Sequence, residues 1–160
     1  MIVNKYQAGV LTLAWSVLGN RTEAEDAAQE AFFRAYLNLQ YFDRAKDFKN
    51  WLYAIAYKRC LDRIRKLKTE KKYRSRMAEA AAPVTSGLET EPGAGESAVL
   101  VPLLEKLTAK ERLALSLSMN EGYAAAEIAG ILHCAESTAR VHLFNAKRKL
   151  RKGLEGNSHV

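Results

Sequence analysis

Apolar residues recur at three- and four-residue spacing along most of this chain and strand-like alternation is absent, so the pattern predicts an all-α protein. A first helix over residues 3–18 places Tyr6, Val10, Leu13, Ala14 and Val17 on one stripe, and Gly19-Asn20 stops it. Thr22 and Glu25 have the spacing of a capping box, in which each side chain bonds the other residue's backbone N–H. The second helix they open runs to about residue 39, with Ala28, Phe32, Ala35 and Leu39 inward. A loop over 41–47 follows. The third helix, from Phe48 to beyond Leu67, turns Leu52, Ile55, Leu61 and Ile64 inward.

The pattern fails over residues 77–98, which are rich in Ala, Gly, Pro, Ser and Glu. Such a stretch buries too little apolar surface to offset its ordering entropy, so it is expected to be a flexible linker. The helical pattern returns near Val99. Thr108 and Glu111 repeat the capping-box spacing and open a helix to about Met119, broken at Glu121-Gly122. A short helix over 124–132 carries Ile128, Ala129 and Leu132 inward, then His133-Cys134-Ala135 turns into a longer helix over 136–152. That succession describes a helix-turn-helix. Two small helical domains, 1–76 and 99–160, joined by the linker 77–98, are the predicted organisation.

Charge sharpens this picture. The net charge of +7 is uneven: residues 1–76 hold sixteen Lys/Arg against eight Asp/Glu, residues 77–106 one against five, and residues 107–160 eight against five. Two basic blocks flanking an acidic middle suit two surfaces facing a polyanion. No apolar run approaches the roughly 20 residues of a membrane span, and the first residues lack the parts of a signal peptide. A cytoplasmic protein is expected. Cys60 and Cys134 read as buried thiols rather than a disulfide. His133, Cys134 and His142 lack the further ligand that a metal site needs. No phosphate-binding glycine loop, nucleophile elbow or paired catalytic carboxylate occurs, so neither an enzyme nor a cofactor is expected.

Three surfaces carry candidate chemistry. Asp26, Gln29, Glu30 and Phe33 fall at i, i+3, i+4 and i+7 on the outer face of the second helix. They suit a basic helical partner, although spacing alone favours a solvated face with one stray Phe. Phe42 in the loop, with Lys49, Asn50, Trp51 and Tyr53 at the helix start, interleaves aromatic rings and cations, a means of holding unstacked bases. Lys58, Arg59, Arg63, Arg65 and Lys66 continue it as a track for phosphates. The alternative is core packing, which fits Phe48 better than Phe42 or Tyr53. In the helix-turn-helix, Ser137, Thr138, Arg140, Val141 and Phe144 lie where base edges are read, and Lys147 and Arg148 where phosphates are met. A plain helical hairpin with a basic end is the other reading.

Taken in order, these segments resemble the sigma-70 family of bacterial transcription initiation factors, in its compact extracytoplasmic-function (ECF) group. Residues 22–36, TEAEDAAQEAFFRAY, are similar to that family's polymerase-docking helix. FKNWLYAIA from Phe48 and CLDRIRK from Cys60 resemble its reader of the minus-ten element. LTAKER from Leu107, AEIAGIL from Ala126 and STAR from Ser137 resemble its minus-thirty-five domain. The resemblance implies that Asp26, Gln29, Glu30 and Phe33 dock on the clamp helices of the largest subunit of the RNA polymerase core, with the flap as a further contact. It implies that Phe42, Tyr53 and Lys58 border a pocket for a base flipped from promoter DNA, and that Arg140, Val141, Phe144 and Arg148 meet the minus-thirty-five element. It further implies a chain that is monomeric when free, makes no bond itself and has an anti-sigma factor as partner. Lys58 stands where the family commonly has asparagine, and His142 and Asn145 where arginine is frequent. Ala124 and Ala135 replace serine-like caps, each at a cost of about 1 kcal/mol, so a marginally stable C-terminal domain is expected.

Overall fold

The computed structural model describes residues 2–77 and 102–157, and every regular element among them is helical. The expected linker lies outside the described residues except for Met77, which ends a helix. Helix α1 (Ile2–Leu18) buries Val10, Leu13, Ala14 and Val17, as the spacing predicts. Gly19, at φ 66°, ends it in the left-handed conformation that glycine adopts without strain. Helix α2 (Arg21–Asn38) begins before the expected capping box. Asn20, extended at φ −131°, accepts from the Glu23 amide at 3.0 Å, so the cap is Asn20 rather than Thr22, and Glu25 pairs with Arg21 instead.

The buried face of α2 is made of alanine: Ala24, Ala27, Ala28, Ala31 and Ala35. These small residues fill the inner stripe, so Phe32 is left half-buried at its edge. Leu39 falls in a single 3-10 turn (Leu39–Tyr41) and is exposed, contrary to the expected inward placement. Helix α3 (Phe48–Met77) spans about 45 Å at 1.5 Å per residue. Its buried residues are Leu52, Tyr53, Ala56, Tyr57 and Cys60, with Ile55, Leu61 and Ile64 half-buried beside them. The inward stripe is therefore turned from the expected one and includes two tyrosines. Beyond Lys68 every side chain is exposed.

In the second half, residues 102–105 are helical and Thr108 opens helix α4 (Ala109–Glu121) with the predicted capping box. Glu111 completes that box and also holds Lys149 at 2.8 Å, tying the start of α4 to a later helix. Gly122, left-handed at φ 67°, ends α4. Helix α5 (Ala125–Leu132), a turn through left-handed His133 and helix α6 (Glu136–Asn157) form the helix-turn-helix. Ala124 has no side-chain oxygen to cap α5, yet its N–H donates to Glu127 at 3.0 Å, so half of a capping box survives.

Buried residues of both halves form one continuous cluster, in which Leu113, Leu117, Ile128 and Ile131 join Leu13, Leu52 and Tyr57. Arg112 fastens the same junction. Its guanidinium donates to the carbonyls of Ser16 (2.8 Å) and Val17 (3.1 Å) in the last turn of α1, and to that of Leu107 (2.8 Å). Carbonyls in a last helical turn have no partner within their own helix. Cys60 is fully buried, and burial pushes its thiol up to about 12. At pH 8 only about one molecule in ten thousand would then carry the reactive thiolate. A thiol reagent at that pH is expected to modify half-buried Cys134 on the native chain and Cys60 only after unfolding; equal rates would refute this.

Candidate nucleic-acid interface

The α2 face emerges as a patch rather than a lone exposed ring. Asp26, Gln29 and Glu30 are exposed, and Phe33 is 60% exposed. Tyr36 and Leu37, one further turn along, are 76% and 50% exposed, and Tyr41 lies just beyond. Sequence reasoning missed these three, although Tyr36 and Leu37 follow Phe33 at i+3 and i+4, the spacing that grouped the others. On one flank the patch meets α3. Arg63 pairs with Glu23 and reaches Asp26 at 4.0 Å, while Arg59 reaches Glu30 at 3.6 Å and Asp62 at 3.0 Å. A cleft of about 240 Å³ runs between these residues and Lys66. The structure thus brings two separately predicted groups together, the acidic face of α2 and three members of the expected phosphate track, Arg59, Arg63 and Lys66. Arg59 Nε is buried without a hydrogen-bond partner among the described residues.

The aromatic residues of the loop gather into a cluster. Phe42 packs edge-on to Phe48 at 5.4 Å and lies 4.9 Å from Trp51, and Tyr6 of α1 meets Phe48 at 5.5 Å. Asp47 caps α3 by accepting from the Asn50 amide at 2.9 Å. Tyr53, expected near an open surface, is 1% exposed. Its position falls on the inward stripe of α3, and Glu121 of α4 accepts its hydroxyl proton at 2.8 Å, which makes burial tolerable. Lys49 forms an ion pair with the same carboxylate. Lys58, Arg65 and Lys66 are exposed, and the cations of Lys68, Lys71, Lys72, Arg74 and Arg76 continue the basic surface along the unpacked end of α3.

On α6, Ser137, Thr138, Arg140, Val141, Phe144, Lys147 and Arg148 are all exposed. Arg148 lies 5.9 Å from the Phe144 ring, and Arg140 pairs with Glu136 one turn before it. His142 and Asn145 are half-buried on the flank of the helix. Among the described residues no three His, Cys, Asp or Glu side chains gather as a metal site would need, and no helix is long and apolar enough to cross a membrane.

Two carboxylates sit below their ordinary range. Burial alone would push Glu111 up, but the bond from Lys149, the Thr108 amide and the nearby charges of Lys149 and His142 outweigh it. Burial likewise opposes ionisation of Glu121, and the bonds from Lys49 and Tyr53 reverse the balance. A carboxyl with a folded value below its unfolded value of about 4.3 binds fewer protons when folded. Its stabilisation is present above that value and lost as pH falls through the folded one. Urea unfolding of the wild-type chain is therefore expected to weaken more steeply between about pH 5 and pH 3 than that of Glu111→Gln, and parallel curves would refute the assignment.

Among the described residues, an all-helical fold with a helix-turn-helix in its second half and cations along both halves makes a DNA-binding architecture. Comparison makes the class specific. The model of sigma-70 region 2 matches residues 2–70, and that of sigma-70 region 4 matches residues 99–150. The chain is 32% identical to the ECF RNA polymerase sigma factor SigW of Bacillus subtilis, over 96% of this chain and 87% of that one. It is 29% identical to the RNA polymerase sigma-H factor of Pseudomonas aeruginosa, over 97% and 85%. Among solved structures, the sigma factor RpoE in complex with the anti-sigma factor NepR from Bartonella quintana shares the fold at a TM-score of 0.78 and 20% identity, covering 96% of this chain and 94% of that one. CnrH in complex with the cytosolic domain of CnrY does so at 0.68 and 22% identity, covering 97% and 86%. The chain belongs to the sigma-70 family of RNA polymerase sigma factors, in its ECF group.

Proposed function

We propose that this chain docks on the RNA polymerase core through the outer face of α2 and directs it to promoters by two DNA contacts. The observation that carries the docking assignment is the joint exposure of Asp26, Gln29, Glu30 and Phe33, extended by Tyr36 and Leu37. An acidic and amide surface around apolar side chains suits a basic helix of the polymerase, with the apolar group as anchor. The minus-ten contact is assigned to Phe42, Lys49, Asn50, Trp51, Tyr53 and Lys58, with Arg59, Arg63, Arg65 and Lys66 holding phosphates. The minus-thirty-five contact is assigned to Ser137, Thr138, Arg140, Val141 and Phe144, with Lys147 and Arg148 on the backbone. These surfaces correspond to units 1–76 and 99–160 on either side of residues 77–98. The chain itself makes no bond, since RNA synthesis belongs to the polymerase, and it acts in the cytoplasm. An anti-sigma protein is a further partner, the kind that RpoE binds in the Bartonella complex.

The test is to add the purified chain to sigma-free core polymerase and score initiation on a promoter library. Specific initiation is expected. DNA binding without core binding would instead mark a free-standing helix-turn-helix regulator, and core binding without initiation a sigma-like decoy.

A further inference from the structure

Helix α3 outruns the core it packs on. The last α3 residue packed against the buried cluster is Ile64, and from Lys68 to Met77 every side chain is exposed. Those residues extend about 15 Å at 1.5 Å per residue. The match to sigma-70 region 2 ends at residue 70, so residues 71–77 lie beyond it. They read KKYRSRM, four cations with no carboxylate. The cations nearer the core are already engaged. Arg59 reaches Glu30 and Asp62, Arg63 pairs with Glu23 and Asp26, and Arg65 lies 3.3 Å from Asp62. No ion pair among the described residues takes up Lys68, Lys71, Lys72, Arg74 or Arg76.

Arg65, Lys68, Lys72 and Arg76 fall at i, i+3, i+7 and i+11, so they share one stripe of the helix, about 17 Å long. Glu70 lies on the opposite side, where its charge acts on Arg63. Like charges at i and i+4 destabilise a helix, and Lys68, Lys72 and Arg76 repeat that arrangement with no packing beneath them. A polyanion laid along the stripe relieves the repulsion. No aromatic ring stands on it, and exposed Tyr73 falls to one side. Single strands are held by stacking bases on rings, whereas regularly spaced cations fit the phosphates of a duplex. We propose that the projecting end of α3 is a sequence-independent clamp on duplex DNA, with Lys68, Lys72 and Arg76 on the phosphates and Lys71 and Arg74 beside them. It rests on the minus-ten assignment at the start of α3 for the place of that duplex, the stretch between the two promoter elements. Such a clamp reads no base, so it adds affinity and salt dependence without changing promoter choice.

The test measures binding of the full chain to a short duplex of arbitrary sequence as salt is varied. Lys68→Gln/Lys72→Gln/Arg76→Gln removes the free cations of the stripe. Lys5→Gln/Lys106→Gln/Lys110→Gln removes the same charge from exposed positions elsewhere. Glutamine is a good helix former, so helical circular dichroism should match the wild type in both. Each phosphate contact contributes about 0.9 to the slope of log K against log salt, so three contribute about 2.7. Lowering salt from about 200 to about 50 mM is therefore expected to tighten wild-type binding roughly fortyfold more than binding of the stripe variant. The second variant should follow the wild type. Equal slopes for all three chains would overturn the clamp, and equal losses in both variants would reduce it to net charge alone. Weaker binding confined to a single strand would overturn the duplex assignment. Weaker binding to phosphatidylglycerol vesicles, with the duplex unaffected, would give the stripe to a lipid surface instead. The duplex carries no promoter element and no polymerase is present, so each result stands whether or not the chain initiates transcription in the core-polymerase assay.

Discussion

Replacing Arg112 by alanine is expected to lower the stability of the full chain by about 3 kcal/mol, the largest effect we assign to a single polar side chain. The guanidinium holds three carbonyls at once, and two of them belong to the last turn of α1, ninety-five and ninety-six residues away. Bonds from a charged donor are worth about 1.5–3 kcal/mol each, and part of that loss is recovered as water reaches the freed oxygens. Burial lowers the guanidinium's proton affinity, and an arginine side chain keeps its charge in proteins. Arg112→Lys should recover only a minor part, because one ammonium cannot span three oxygens in a plane. Urea unfolding monitored by helical circular dichroism measures this directly, and a loss below about 1 kcal/mol would show that the clasp is not needed. The same experiment reads cooperativity. Without the clasp the two halves are expected to unfold in separate steps.

The second large effect concerns binding rather than folding. Phe33→Ala should weaken binding to core polymerase by at least about thirtyfold, equivalent to about 2 kcal/mol, while leaving the unfolding midpoint unchanged. The ring is 60% exposed in the free chain and lies outside the buried core, so its removal opens no core cavity. Its neighbours Asp26 and Glu30 are poorer probes, because charge changes there also disturb the pairs with Arg63 and Arg59. Surface-immobilised core and a titration of the variant would settle the matter. Undiminished affinity would move the docking site away from α2.

Much of this was legible in the residues. The order of helices, the Thr108–Glu111 capping box, the stop at Gly19 and the turn at His133 are local features, set by side chains within a few positions of one another. The outer face of α2 was legible for the same reason. What escaped has a shared cause. Tyr53 was expected near an open surface because its neighbours are aromatic and basic, yet its burial depends on Glu121, sixty-eight residues away. No spacing rule reaches that far. The role of Arg112 is hidden likewise, since in sequence it is one more cation on an amphipathic helix. The misplaced cap of α2 was a local error of another kind: Asn20 and Thr22 both suit the position, and the extended backbone at Asn20 decides between them.

The alanine seam of α2 has a consequence for how such a protein can change over time. Methyl groups at Ala24, Ala27, Ala28, Ala31 and Ala35 form the buried floor on which α2 rests. A larger side chain there would lever the helix outward at about 1–3 kcal/mol and tilt every residue on its far side. The exposed apolar residues Phe33, Tyr36 and Leu37 carry no such constraint, whereas Asp26 and Glu30 are tied to Arg63 and Arg59 of α3. Drift can therefore retune the apolar chemistry that this outer face presents, side chain by side chain, while the angle at which it is presented stays fixed from beneath.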